Sequence, residues 1–379
     1  MKPQQLITSE FIVNSDIIYL NHAAVSPWPL RTRTAVCEFA SQNSQQGSLN
    51  YPQWIETETR LRKNIQALIN SPSPDDIALV KNTSEALSFV AYGIDWRPGD
   101  NIVITNQEFP SNRIVWESLQ SEGVELRVAD ITPNDSRSPE QCVIDACDDR
   151  TRLVSVSSVQ YASGLKMQLA AIGRFCKSQN ILFCVDAIQS VGAVIFDVQE
   201  IQADFAMADG HKWMLGPEGL AFFYCAAHVR DSLKLTQYGW HMVEDMGNFD
   251  ETSWQTAKSS RRFECGSPNM LGIHALQASV SLILELGMSY IEEQIRQNTK
   301  LMLELVQNHS QLQLLSPSNI AQLAGIITFK HRNKASHEVF QQLKERNIFC
   351  AERGGGIRFS PHFYTSREKI TDAVNCASG

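Results

Sequence analysis

Short apolar runs recur along the first 225 residues, at 77–80, 102–105, 124–128, 153–156, 181–185, after Asp204, and at 219–225. Each is bounded by turn residues. A continuous apolar run of that length predicts a strand buried on both faces, rather than the alternation of a half-solvated one. Helical periodicity lies between and before them, at 29–42 and 51–69, from Leu87 through Val90 and Ala91, and at 169–178. Strand, helix and strand in that order predict a parallel, doubly wound sheet, an α/β fold.

Beyond residue 270 the pattern changes. Leu276, Val280, Ile283 and Leu284 share one helical face, and Ile291, Ile295, Met302 and Val306 continue such a stripe. Ser289-Tyr290-Ile291-Glu292 reads as a capping box opening the second helix. Strands are expected at 325–329, 348–351 and 357–360, and helices at 337–346 and 366–376. The expected division is an N-terminal segment (1–30) with a short strand at 17–20, a large domain (31–269), and a smaller C-terminal α+β domain (270–379). Residues 237–262 read as irregular and polar-aromatic, and 132–140 as a proline-containing surface loop.

Composition narrows the function. The 379 residues carry a formal charge of −8, with 43% apolar residues. The acidic balance argues against general nucleic-acid binding, which needs a basic face. No apolar run approaches the ~18 residues of a membrane span. The start, MKPQQLITSE, lacks the apolar core of a signal peptide, so a cytoplasmic protein is expected. Nine cysteines with no CxxC pair argue against zinc or iron–sulfur ligation and for reduced thiols. Cys184, inside an apolar run, reads as core.

Two of the apolar runs deliver chemistry at their carboxyl ends, where open α/β sheets bind ligands. One ends in Asp186, with Gln189 three residues on. The next ends in Asp209-Gly210-His211-Lys212-Trp213. A converging carboxylate and lysine suit pyridoxal 5'-phosphate, which needs a lysine for its Schiff base and an acid on its ring nitrogen. His211 is placed to pack on or hydrogen-bond the cofactor. The helix opening at Asn82-Thr83-Ser84-Glu85, with Thr83 or Ser84 as N-cap, is a ready anion site. No GxGxxG follows any expected strand, so the dinucleotide fingerprint is absent. Arg358, amid Gly354-Gly355-Gly356 and apolar neighbours, can offer a fork to a carboxylate.

Asp-Ala-x-Gln-Ser at 186–190, Ala203-Asp204-Phe205, and Gly210-His211-Lys212-Trp213-Met214-Leu215-Gly216-Pro217 together resemble the signature of the class V aminotransferase family, the cysteine desulfurase-like pyridoxal-phosphate enzymes. The resemblance runs from about Tyr19 to Thr365. It implies the fold type I of pyridoxal-phosphate-dependent transferases, with Lys212 and Asp186 catalytic. It implies cofactor contacts from Thr83, Ser84 and Glu85 (phosphate turn), Phe109 (stacked on the ring), Gln160 (near the ring oxygen), Gln189 and His211. Asp209 stands where many relatives have a phosphate-contacting serine. Phe263-Glu264-Cys265-Gly266-Ser267-Pro268-Asn269 resembles the family's Phe-Glu-x-Gly-Thr-x-Asn loop. There Gly266 and Ser267 would reach the phosphate of a partner subunit in a homodimer. Asn21 and His22 would face an amino acid substrate, whose α-carboxylate Arg358 would hold.

The resemblance leaves the reaction open: aminotransferase or carbon–sulfur lyase first, with an epimerase resembling isopenicillin N epimerase, a cysteine desulfurase, or a non-catalytic cofactor-binding protein as alternatives. Cysteine desulfurases of the family need a thiol on a loop shortly before the carboxylate-binding arginine. Here the chain runs from Cys350 through three glycines straight to Arg358, with no long loop.

Overall fold

The computed structural model describes residues 3–132, 137–250 and 252–379. β1 (Ile18–Tyr19) precedes the main sheet. That sheet holds β2 (Ile77–Val80), β3 (Asn101–Thr105), β4 (Glu125–Ala129), β5 (Thr151–Ser157), β6 (Leu182–Asp186), β7 (Phe205–Asp209) and β8 (Ala221–Cys225). Their spatial order is β2-β8-β7-β6-β5-β3-β4. β4, β3, β5, β6 and β7 pair in parallel, while β8 runs antiparallel to both β7 and β2. β2, β3 and β8 are buried throughout, and β5, β6 and β7 are buried except at Arg152, Leu182 and Asp209, as their apolar runs require. β4, expected to be buried on both faces, is an edge strand and mostly exposed.

The chain then builds a four-stranded antiparallel sheet from β9 (Leu312–Leu314), β10 (Ile327–His331), β12 (Ala351–Arg353) and β13 (Gly356–Phe359), ordered β12-β13-β10-β9. The expected strand at 348–351 is split. β11 (Ile348–Phe349) leaves this sheet and pairs in parallel with β1. A smaller hydrophobic cluster sits here, joining Leu20 to Met302, Phe329, Ile357, Phe359 and Val374.

The helix Met270–Leu286 packs on Leu30–Gln46 and Tyr51–Ile69, so its apolar face lies in the larger cluster. The following helix, Met288–Asn308, bridges the two cores: Ile291 and Ile295 face the larger, Met302 and Val306 the smaller. The two helices meet at 85° across Gly287, whose φ of 81° permits the break. The second helix starts at once after this glycine, and no side chain caps it. Ser289 is therefore inside the first turn, and the expected capping box does not form.

Helices at Pro3–Glu10, Ser111–Glu117 and Pro139–Asp145 were not expected. The last cuts into the predicted 132–140 loop, because Ser138 caps its first turn by accepting from the Gln141 N–H. Residues 133–136 of that loop lie outside the described residues. No single helix among the described residues is long and apolar enough to cross a membrane.

Candidate active site

β6 and β7 lie side by side and parallel, so their carboxyl ends open on the same edge of the sheet. Asp186 closes β6 and is buried. Its Oδ1 accepts the Ile188 N–H at 3.1 Å. The turn that follows places Gln189 between two other segments. Its Nε2 donates to the Ala23 carbonyl (3.0 Å), and its Oε1 accepts from Trp213 Nε1 (2.8 Å). Trp213 is wholly buried, so this bond fixes the residue next to Lys212. Gly192 allows the approach. With φ at 93°, a Cβ there would lie 2.3 Å from the Trp213 carbonyl oxygen.

Asp186 and Lys212 line one cavity of about 250 Å³. Thr83, Ser84, Phe109, Gln189, Asp209, His211 and Arg358 line it too. Its electrostatics follow from burial. Desolvation pushes the Asp186 carboxyl up to about 7 and the Lys212 ammonium down to about 8, while their mutual attraction opposes both changes. Burial also lowers Arg358, to about 10. Phe109 forms a wall, its ring centre 5.6 Å from Lys212 Nζ and edge-on to Tyr161 at 5.2 Å.

The phosphate-side end is built differently from the expectation. Asn82, not Thr83 or Ser84, is the N-cap of helix Thr83–Gly93, and its side chain accepts the Glu85 N–H at 2.9 Å. That amide is therefore spent. The Glu85 carboxylate turns back to the Lys81 N–H, and the residue is not a cavity wall. Asp209 accepts from both the N–H and the hydroxyl of Thr83, the latter at 2.8 Å. Asp209 thus does for the helix start what an anion would do. Among the described residues, the Ser84 N–H is left without a partner, beside the Ser84 and Ser111 hydroxyls, which bond each other at 2.9 Å.

Five other expected residues stand away from the cavity. His22 is spent at both ring nitrogens, on the Ser360 carbonyl (2.8 Å) and the Tyr364 hydroxyl (2.7 Å), and burial lowers it to about 4. It is a strut between the N-terminal segment and the C-terminal sheet, not a substrate contact. Asn21 bridges to Ser360, and Ala23, Ala24 and Val25 form the wall instead. Gly266 and Ser267 follow Glu264, which is bound to Arg62 and the Leu79 N–H beside β2, and neither lines this chain's cavity. Gln160 is fully buried behind the wall. Its Nε2 reaches Glu108 (3.3 Å) and Thr105 (3.4 Å), and its Oε1 has no partner.

The sequence reading passed over Ser111, Tyr161, Glu218 and Arg353, which line the cavity. Ser111 and Tyr161 directly follow motif residues. Arg353 could be found only from the strand register. Among the described residues, no cysteine lines it. Cys350 packs in the smaller core, and burial pushes its thiol up to about 12.

The residues present fit pyridoxal phosphate. A buried carboxylate and a lysine of lowered basicity share one cavity, with an aromatic wall and an unused helix-start N–H. The buried Arg358 Nε has no partner among the described residues, an unspent donor on a guanidinium that lines the cavity.

The cystine C–S lyase C-DES, solved with its product cysteine persulfide, superposes with a TM-score of 0.88 at 22% identity, covering 96% of this chain and 98% of that one. The apo structure of cysteine desulfurase from Thermococcus onnurineus superposes at 0.86 with 25% identity, covering 98% and 96%. A probable cysteine desulfurase of Methanothermobacter thermautotrophicus is 32% identical over 94% of this chain and 92% of its own length. The model of the family described as aminotransferase class-V matches residues 18–371, and the chain belongs to that family.

Proposed function

We propose that the protein is a pyridoxal-phosphate-dependent enzyme acting on a small α-amino acid, of the aminotransferase or carbon–sulfur lyase type. The observation that carries this is the cavity shared by Lys212, Asp186 and Arg358, whose Nε is an unspent donor. Bound there, the cofactor supplies an electron-accepting ring that stabilises negative charge at the substrate Cα. Asp186 would hold the proton of the ring nitrogen. The Ser84 N–H and the hydroxyls of Ser84 and Ser111 would take the phosphate, and Phe109 would cover the ring.

Arg358 spends one Nη1 hydrogen on the Tyr161 carbonyl at 2.8 Å. Its Nε edge remains for the substrate α-carboxylate in the bidentate manner. Lys212, lowered to about 8, is in part a neutral amine near neutral pH. It serves as the nucleophile that attaches the cofactor and then moves the proton at the substrate Cα.

Cysteine desulfuration by a protein thiol is disfavoured here. β12 and β13 join through a two-residue turn, and Cys350 faces the core. A carbon–sulfur lyase needs no such thiol, which the likeness to a C–S lyase supports. We further propose a homodimer, since the Gly266-Ser267 loop lies outside its own cavity and exposed Tyr238, Phe249 and Trp254 lie on the same part of the chain. Nine free thiols suit a reducing compartment such as the cytoplasm.

Adding pyridoxal phosphate to the wild type is expected to give a visible absorption band that Lys212→Ala lacks. A wild type that stays colourless would overturn the proposal. Separate assays of keto acid, ammonia and sulfide on a panel of amino acids then assign the reaction.

A further inference from the structure

β12 and β13 form a hairpin whose loop is Gly354-Gly355, between the paired residues Arg353 and Gly356. Both loop glycines have positive φ, 59° and 77°. That is the type I′ geometry, whose twist matches the flanking strands and which fixes their register. The register pairs Ala351 with Arg358 and Arg353 with Gly356. Cross-strand partners share a face, and so do residues two apart.

Arg353 and Arg358 are therefore diagonal neighbours on one face, roughly 7–8 Å apart with their Cβ atoms somewhat closer by the geometry of such pairs. The intervening residues face the other way. Ile357 and Phe359 enter the smaller core, and Glu352 meets His337 at 3.4 Å. Both arginines line the same cavity. Arg353 is exposed at its rim, and its side chain has no ion pair or hydrogen bond among the described residues. The other charges lining the cavity are Asp186, Asp209, His211, Lys212 and Glu218. Asp186 and Asp209 already accept from Ile188 and Thr83, and Glu218 lies within 4 Å of no arginine or lysine nitrogen among the described residues.

One carboxylate satisfies Arg358. A second cation on the same face, held in register and unpaired, calls for a second anion on the same molecule. We infer that Arg353 is a specificity-determining residue that selects amino acids whose side chain ends in a carboxylate. The inference rests on the proposed function and names its substrate class. The buried arginine takes the α-carboxylate, and the rim arginine takes the distal one.

The test compares wild type, Arg353→Gln and Arg353→Lys, loaded with cofactor, on aspartate, glutamate, alanine and cysteine. Wild type is expected to prefer the acidic pair by about tenfold in kcat/KM, or about 1.4 kcal/mol. Arg353→Gln is expected to remove that preference through KM, leaving the neutral pair within about threefold, and Arg353→Lys to restore part of it. Arg353 touches no partner, so the variants should fold as wild type does. Succinate binding by calorimetry, with and without cofactor, should weaken by about the same factor in Arg353→Gln.

Equal preference for neutral and acidic substrates in wild type overturns the inference. So does an Arg353→Gln enzyme whose selectivity and succinate affinity are unchanged. If the cofactor reading itself is wrong, wild type shows no visible band and turns over no amino acid, and succinate binding still decides the role of Arg353.

Discussion

Asp186→Asn tests the electrostatics of the site directly. In the unfolded chain its carboxyl titrates at an ordinary 3.8; in the folded, cofactor-free protein desolvation raises it to about 7. The folded state therefore holds a proton through a range where the unfolded state has lost it. Stability from this group is fully present below about pH 4 and is lost as pH rises through 7. The displacement, which already includes the opposing attraction of Lys212, corresponds to at most about 4 kcal/mol; in the variant Lys212 loses its charged partner, which leaves a gain of about 1–3 kcal/mol. Asparagine keeps an oxygen for the Ile188 N–H and carries no charge to desolvate. With an unfolding entropy of roughly 0.8 kcal/mol/K for a chain of this length, the gain is about 1–4 °C in Tm.

The assay is thermal melting of cofactor-free wild type and variant from pH 5 to 9. The Tm of Asp186→Asn minus that of wild type should rise between pH 5 and 8, while the variant binds pyridoxal phosphate more weakly. A difference that is flat or falls with pH would refute the argument that burial, rather than a specific partner, sets the state of Asp186.

Two further outcomes follow from packing. Cys350→Ser should leave sulfide release from cysteine within about twofold and cost about 1–2 kcal/mol for a buried hydroxyl; a folded variant that loses sulfur release would show that Cys350 carries sulfur after all. Glu264 is buried and binds Arg62 through both oxygens, at 2.6 and 2.7 Å, as well as the Leu79 N–H. Glu264→Gln should cost about 3–5 kcal/mol by leaving Arg62 to Glu58 alone, a fall of roughly 4–6 °C in Tm; melting at the wild-type temperature would contradict it.

The parallel strands were legible because a strand buried on both faces needs an unbroken apolar run, and little else in a chain does. Asp186 and Lys212 were legible for a related reason: each is a polar residue at the end of such a run. What failed to show in the sequence was decided by distant partners. His22 resembles a substrate ligand until Ser360, 338 residues away, takes one ring nitrogen. Glu85 resembles an anion contact until Asn82 takes its amide, a choice between neighbouring cap residues that local pattern leaves open. Ser289 has the right spacing for a capping box, but Gly287 starts the helix too early for it. Arg353 looked like any charged residue beside glycines, because only the hairpin register puts it on the face of Arg358.

The segment 18–26 is pinned by parts of the chain made after it. Among the described residues β1 pairs with β11 alone and His22 hangs on Ser360 and Tyr364, while Ala23 is held by Gln189 and the Ser26 N–H donates to the His211 carbonyl at 2.8 Å. During synthesis this stretch leaves the ribosome well ahead of the strand it must join. The wall over Lys212 is thus completed only once β11 is made, and a ribosome stalled before residue 348 would hold a sheet with an open mouth.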